Sequence, residues 1–268
     1  MPITSDLNGK QYTLGRGQVF FDRFASNVSV TSTTRGEGER YLGNTPEVST
    51  SSSAESLDHY DSDAGIKSKD GSVQLSMDRS GKFSCDSISG ENLALFFQGS
   101  KSVQTQASAT GAQEVISVKR DRFVQLGVTA ANPTGVRKVS NVVLKKGAGY
   151  ATTVAVGNYE VDEELGRVYI KADAADLTDT STDVQFTYDI AATTRERVIS
   201  SSDSIYGAVR FVGTNPVGAK RDIYMPYVKL SPDGDYNLKG DDWQKVGFTM
   251  EILKKGSLEA VYVDGRPA

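Results

Sequence analysis

The sequence predicts an all-β protein, and three observations carry that reading. Residues 72–78 (SVQLSMD) and 82–88 (KFSCDSI) alternate apolar and polar side chains with the period of two that a half-buried strand requires. Glycine is abundant at 26 residues and proline scarce at 7, with Ser and Thr throughout, a mixture that suits strands joined by tight turns. Only residues 89–98 read as a helix. A chain of 268 residues has room for one large all-β domain or two smaller ones.

The elements follow in order. Residues 1–16 are polar and contain glycine, and are expected to form an arm ordered only by a neighbour. Residues 18–24 (QVFFDRF) are a short apolar-rich strand, followed by a Ser/Thr/Gly loop over 25–38 that ends in Arg35-Gly36-Glu37-Gly38. Residues 45–60 (TPEVSTSSSAESLDHY) favour extended structure but lack an apolar face, since Val48 and Leu57 are the clear apolar side chains before Tyr60. A strand with hydroxyls on both faces implies water on one side and a polar neighbour on the other; a solvated loop is the competing reading. Residues 61–71 mix acids, bases and glycines and read as a loop. The turn Arg79-Ser80-Gly81 then joins 72–78 to 82–88 as a hairpin, with Val73, Leu75 and Met77 on one face across from Phe83 and Cys85. In the helix, Ser89 is the cap, Leu93, Phe96 and Phe97 share a face, and Gly99 is the stop.

Residues 100–112 (SKSVQTQASATGA) read as a linker. Beyond it come strands at 114–118, 122–128, 139–144, 151–154, 167–171 and 184–190. Turns at Asn132-Pro133-Thr134-Gly135, Lys146-Gly147-Ala148-Gly149 and Glu164-Leu165-Gly166 separate them. About 80 residues of this kind suffice for a small β-sandwich, with an immunoglobulin-like fold as one option; joining the first sheet is the other. The chain then gives strands at 195–199, 205–213 and 221–230, the last with Pro226 implying an edge or bulge. A turn at Ser231-Pro232-Asp233-Gly234 leads past Trp243 to a strand over 246–253, a break at Lys254-Lys255-Gly256-Ser257 and a last strand over 258–263. The organisation expected is an arm (1–16), a β-sandwich domain (17–104 with 191–268) and an inserted β-rich domain (113–190).

Composition excludes several functions. The formal net charge is −4, with one histidine. Tight, sequence-independent wrapping of nucleic acid needs a surplus of Lys and Arg to displace counterions, which this chain lacks. A surface past which DNA slides is not excluded. Cys85 is alone, so no intrachain disulfide forms, and its place on an apolar face makes it a core filler suited to a reducing cytoplasm. The start, MPITS, has neither a basic nor an apolar signal region, and no apolar run approaches the roughly 20 residues that span a bilayer. The expectation is a soluble product without an export signal or membrane segment.

No constellation supports chemistry. His59, in LDHYDSD, cannot build a usual zinc site without thiolates, and no G-x-S-x-G elbow supports a triad through it. Asp233-Gly234-Asp235-Tyr236-Asn237 opens like a calcium loop but places Leu238 where glycine is needed and Gln244 where a bidentate glutamate is needed. Gly147-Ala148-Gly149 lacks the third glycine of a phosphate loop and reads as a hairpin turn. Arg195-Glu196-Arg197 and Lys254-Lys255 read as solvated strand ends, without the interleaved aromatics of a single-strand groove. No catalytic group, metal or cofactor is expected, and the chain is not read as an enzyme.

Four blocks add a resemblance. Residues 14–24 (LGRGQVFFDRF), 38–47 (GERYLGNTPE), 55–63 (ESLDHYDSD) and 89–97 (SGENLALFF), in this order, resemble the tail tube proteins of long non-contractile-tailed bacteriophages (siphophages). The blocks cover about residues 14–98; 195–268 is similar in general character only, and 113–190 has no specific match. The resemblance implies the fold of the related type VI secretion tube proteins, a β-sandwich with a flanking helix. It implies that six subunits close into a ring, that inner strands of neighbours pair into a barrel, and that stacked rings form a conduit for the genome. The partners implied are further copies of the chain, the tape measure, tail terminator and distal tail proteins, and double-stranded DNA that passes without specific binding. The location implied is the virion tail, assembled in the bacterial cytoplasm.

A lumen wall must pass a polyanion without holding it, so hydroxyls and carboxylates suit it better than Lys and Arg. Ser49, Thr50, Ser51, Ser52, Ser53 and Glu55 are therefore candidates for the lumen or for contacts between rings, together with Asp58, His59, Asp61 and Asp63. The rival reading is an adhesive or carbohydrate-binding β-sandwich on a virion surface. In it the inserted domain binds and Tyr150, Tyr159 and Tyr169 stack on the ligand.

Overall fold

The structure is a computed structural model that describes residues 12–26, 29–63 and 65–266. Most of the arm expected over 1–16 lies outside the described residues; within it, Leu14 forms an antiparallel bridge with Val217 and the Arg16 backbone N–H donates to Asn215 Oδ1 at 2.9 Å. The fold is all-β, with one α-helix among the described residues. The chain divides into two compact units, Met1–Lys101 with Val198–Ala268, and Ser102–Arg197.

Unit 1 opens with β1 (Gly17–Arg23), β2 (Arg40–Tyr41), β3 (Glu47–Asp61), β4 (Ser68–Cys85) and the helix α1 (Gly90–Phe96). The chain then runs through β5 (Ser100–Gln106), β6 (Ala109–Val118), β7 (Arg122–Gln125), β8 (Val139–Lys146), β9 (Thr152–Thr153), β10 (Tyr159–Asp162), β11 (Arg167–Ile170), β12 (Thr182–Ile190) and β13 (Thr193–Ile199). It closes with β14 (Ile205–Gly213), β15 (Arg221–Asp233), β16 (Val246–Ile252) and β17 (Tyr262–Gly265).

Unit 1 is built on one antiparallel sheet in the order β2-β1-β14-β15-β16-β4-β3, with β17 also on β15. Strand β15 is long enough for two partners in succession: Arg221–Tyr224 pair with β17, and Val228–Asp233 with β16. Between them the register to β14 slips from Gly207/Val228 to Val209/Met225, which places the expected bulge at Pro226, where a residue without an N–H does least harm. Alternation decides which face is buried. In β16, Val246, Phe248, Met250 and Ile252 enter the core while Thr249 and Glu251 face away. Phe83 stacks on Phe248 with centroids 5.0 Å apart, and Phe96 of α1 meets Phe248 edge-on at 6.3 Å.

The helix is capped as the sequence implies: Ser89 Oγ accepts from the Asn92 N–H at 3.2 Å. The Asn92 side chain turns inward, donating to the carbonyls of Leu42 (2.7 Å) and Ser87 (2.8 Å) and accepting from Arg40 Nη2 (2.9 Å). The stop differs from expectation. Gln98, not Gly99, takes the left-handed conformation (φ 52°), and the Gly99 N–H closes onto the Ala94 carbonyl at 2.7 Å. Gly99 is small because the chain at Ile199 approaches it closely: a Cβ there would lie 1.7 Å from the Ile199 carbonyl oxygen.

Other expectations are corrected. Arg79-Ser80-Gly81 is not a turn but the middle of β4, whose hairpin partner is β3 and not the segment 82–88. Gly81 serves packing: a Cβ would sit 2.6 Å from Met250 Cε and 2.7 Å from the Ser49 carbonyl oxygen. The loop expected over 61–71 shrinks accordingly, and the segment expected over 45–60 is strand from Glu47 onward and not a solvated loop. The linker expected over 100–112 is absent, because 100–106 and 109–112 belong to β5 and β6. The units therefore meet in sequence at 101/102 and 197/198 instead of across a spacer. Strand β15 continues through Pro232 and turns only at Gly234 (φ 72°), β7 stops before Gly127 (φ 64°), and the last strand starts at Tyr262.

Unit 2 has a four-stranded sheet (β6-β12-β8-β9) and a three-stranded sheet (β10-β11-β7), all with antiparallel pairing. Val184, Phe186 and Leu144 from the first and Val168 and Ile170 from the second share one buried cluster, so this unit is a small β-sandwich with its own core. Strand β10 was not evident in the sequence; its Tyr159 is buried and donates to the Val142 carbonyl at 3.2 Å. Strands β5 and β13 pair as a separate two-stranded sheet.

Candidate assembly surface

Strand β3 forms the edge of the unit 1 sheet. Its fifteen residues are exposed save one. Its register with β4 and that of β4 with β16 set out a polar face, row by row. Glu47, Ser84, Gly247 and Asp233 form one row; Ser49, Lys82, Thr249 and Ser231 the next; Ser51, Ser80, Glu251 and Lys229 the third. Ser53 with Asp78, and Glu55 with Ser76, continue it on two strands. Ser51 and Ser80 are hydrogen-bonded at 2.8 Å. The ionisable groups of this face are five carboxylates and two lysines, and both lysines are already paired, Lys82 with Asp233 at 2.9 Å and Lys229 with Glu251 at 4.0 Å. The wall is therefore hydroxylic and net negative, and leaves no unpaired lysine on it to hold a phosphate.

The candidate residues divide between the two faces. Ser49, Ser51, Ser53 and Glu55 lie on the polar face, whereas Thr50 and Ser52 alternate to the other. Thr50 lines an apolar pocket of about 100 Å³ with Val48, Ser49, Phe211, Ile223 and Met225. The hydroxyl-rich run over 49–53 therefore does not present one face: the serine-rich composition hides the period of two.

Asp58, His59, Asp61 and Asp63 lie elsewhere. The pairing of β4 with β16 ends at Arg79, so residues 53–61 and 68–78 continue as a two-stranded arm that no third strand joins among the described residues. Eleven residues of strand reach roughly 35 Å. Near its end His59 Nδ1 lies 2.5 Å from Asp70 Oδ1, and Asp58 is held by Lys69 at 2.6 Å and by the Ser72 hydroxyl at 2.7 Å. Those two donors keep the Asp58 carboxyl below the usual carboxylate range. Asp61 Oδ1 accepts from the Asp63 N–H at 2.9 Å, the local bond that starts the turn. His59 is therefore on a strand, not in a loop.

The arm has no core of its own. Leu57 and Val73 are 64% exposed and Leu75 58%. Between Glu55 and Ser56 the register skips Leu75, a bulge that places Leu57 and Val73 on the face opposite Ala54 and Met77. Val73, Leu75 and Met77 consequently do not share one apolar face, and each face of the arm carries a few bare apolar side chains. The sequence missed the β4, β15 and β16 members of the polar face. The alternation in VGFTMEI, which turns Thr249 and Glu251 outward, was the signal available.

In unit 2 the tyrosines singled out for stacking diverge. Tyr159 is buried and cannot stack on a ligand. Tyr169 donates to Asp121 at 2.7 Å and lies 4.9 Å from the exposed ring of Phe123, while Tyr150 sits in a short helical turn after Gly147.

The chain belongs to a family described as "Protein of unknown function UCP028589", which matches residues 12–260 and so takes in both units. No curated protein matches it. Among the described residues, no helix is long and apolar enough to cross a membrane.

Proposed function

We propose that the chain is a subunit of a bacteriophage tail tube. Copies join through the β3 edge and the β3/β4 arm into closed rings, probing no ligand and performing no chemistry. The rings stack into a conduit, and the polar face lines the channel through which double-stranded DNA passes. Tape measure, tail terminator and distal tail proteins are the partners this reading gives the tube, and the virion tail is its location.

One observation carries the proposal: a fifteen-residue edge strand continues with its partner into an arm that, among the described residues, has no third strand and no core. A long bare edge is a template for pairing, and soluble proteins either blunt such edges or use them. A two-stranded ribbon is at best marginally stable in water, so a packed neighbour is what the arm requires. Closing strands around a ring removes the edges, and a barrel contributed by several chains is wide enough to stay open. The polar face supports the assignment of the lumen, because both of its lysines are neutralised by neighbouring carboxylates.

Electron microscopy of the purified chain across a concentration series tests this reading. Rings or rods at high concentration are expected. Monodisperse monomers at every concentration overturn it and leave the adhesive reading in its place.

A further inference from the structure

Three guanidinium groups converge on one turn of unit 2. Arg195 and Arg197 alternate to the same side of β13 and reach the turn at residues 132–135. Arg195 Nη2 donates to Asn132 Oδ1 (3.1 Å), Thr134 Oγ1 (3.1 Å) and the Gly135 carbonyl (2.9 Å). Arg197 Nη2 donates to the same Asn132 Oδ1 (2.6 Å) and Thr134 Oγ1 (3.0 Å). Arg137 Nη1 donates to the carbonyls of Thr134 (2.9 Å), Val136 (3.2 Å) and Leu165 (2.8 Å).

Every one of these acceptors is neutral. Among the described residues no ion pair joins a carboxylate to any of the three arginines, and Asp162, the acid whose charge reaches Arg137, is bonded to Arg167 at 2.8 Å. Two guanidinium nitrogens that share an acceptor lie within about 6 Å of each other, a separation at which like charges repel strongly away from bulk water. Arg195 feels this: burial first, then Arg137 and Arg197, lower its pKa. Arg195 Nη1 is moreover buried without a hydrogen-bond partner, an arrangement that native proteins seldom leave unexplained.

We propose that Arg137, Arg195 and Arg197 form a binding site for a tetrahedral oxyanion, a phosphate or sulfate group. Such an anion supplies the countercharge that the neutral acceptors do not, and its oxygens point in several directions, as the converging guanidinium groups do. A planar carboxylate matches one guanidinium edge but not three. The site belongs to unit 2 and does not depend on the tube reading.

Calorimetric titration of the full chain with inorganic phosphate, sulfate and acetate at fixed ionic strength tests it. Phosphate and sulfate are expected to bind saturably at one site per chain, and acetate at least tenfold more weakly. Arg197→Gln is expected to weaken phosphate binding tenfold or more and Arg197→Lys to recover part of the loss, while Arg122→Gln in β7 leaves it unchanged. If Arg197→Gln does not fold, Arg137→Gln takes its place with the same expectation. Absence of saturable heat up to about 20 mM phosphate, equal binding of acetate, or undiminished binding by the folded glutamine variant each overturns the proposal.

Discussion

Gly81 shows how a single residue misdirects a sequence reading. In Arg79-Ser80-Gly81 it resembles a turn, yet the missing side chain makes room for Met250 from the adjacent strand, with the Ser49 carbonyl closing the other side. The two positions are coupled. Gly81→Ala is predicted to destabilise unit 1 by about 1–3 kcal/mol through overpacking, and Met250→Ala by about 2–5 kcal/mol through the cavity it leaves. The double variant is predicted to cost less than the sum, because the truncated Met250 makes room for the new methyl. Denaturant midpoints of the four proteins in the cycle check this.

Cys85 gives a residue-scale prediction with a defined pH window. Burial pushes its thiol from 9.0 up to about 12, with nearby Arg40 offsetting part of the effect. As pH rises past 9 the unfolded chain releases this proton while the folded chain keeps it, so stability falls until the folded thiol also ionises near 12. Between pH 8 and 10 the loss from this group is about 1.4 kcal/mol. Cys85→Val removes that component, so the gap between wild type and variant in urea midpoint is expected to shift in favour of the variant at pH 10.

At the scale of elements, legibility followed the apolar pattern. Strand β16 was plain because four alternate residues enter the core, and α1 was plain because Ser89 caps it. Strand β3 was ambiguous because neither of its faces is buried within this chain, so no period of two is written in its apolar residues. The supposed linker over 100–112 failed for the same reason: its polar residues alternate without an apolar partner to mark the strand. The polar face could be read only once the register placed Lys82 beside Asp233 from a distant part of the chain.

The arm makes its own prediction. Ser53 and Asp78 are cross-strand partners, so an Asn-Gly turn can replace residues 54–77 and close a shorter hairpin. Because the excised part contributes nothing to the buried core, the shortened protein is predicted to melt within a few degrees of wild type. It is predicted to form no rings or rods under conditions in which the full chain assembles. Normal assembly of the shortened protein would remove the arm from the mechanism.

At the scale of the molecule, the two cores are separate clusters, one in each unit. The chain leaves unit 1 after Lys101 and returns at Val198, and within unit 1 Gly99 already packs against Ile199. Unit 1 should therefore survive replacement of 102–197 by a short turn, with the pairing of β14, β15 and β16 intact. Expression of 102–197 alone should give a cooperatively folded sandwich. Circular dichroism melts of both fragments check this, and a molten fragment would show that one unit depends on the other. The β-rich segment expected over 113–190 lies inside unit 2, since the change to short strands and frequent turns is visible in the sequence; the ends of the unit are not, because β5 and β13 run through them as paired strands.

The central claim is that a strand edge and arm poor in contacts of their own are completed by identical copies. Hydrogen exchange over residues 47–61 and 68–78, measured in dilute and in concentrated protein, tests it most directly. The account predicts rapid exchange in the dilute arm and slow exchange on concentration, with the core of β14 to β16 protected throughout. Full protection of the arm in a chain that stays monomeric at every concentration would contradict it.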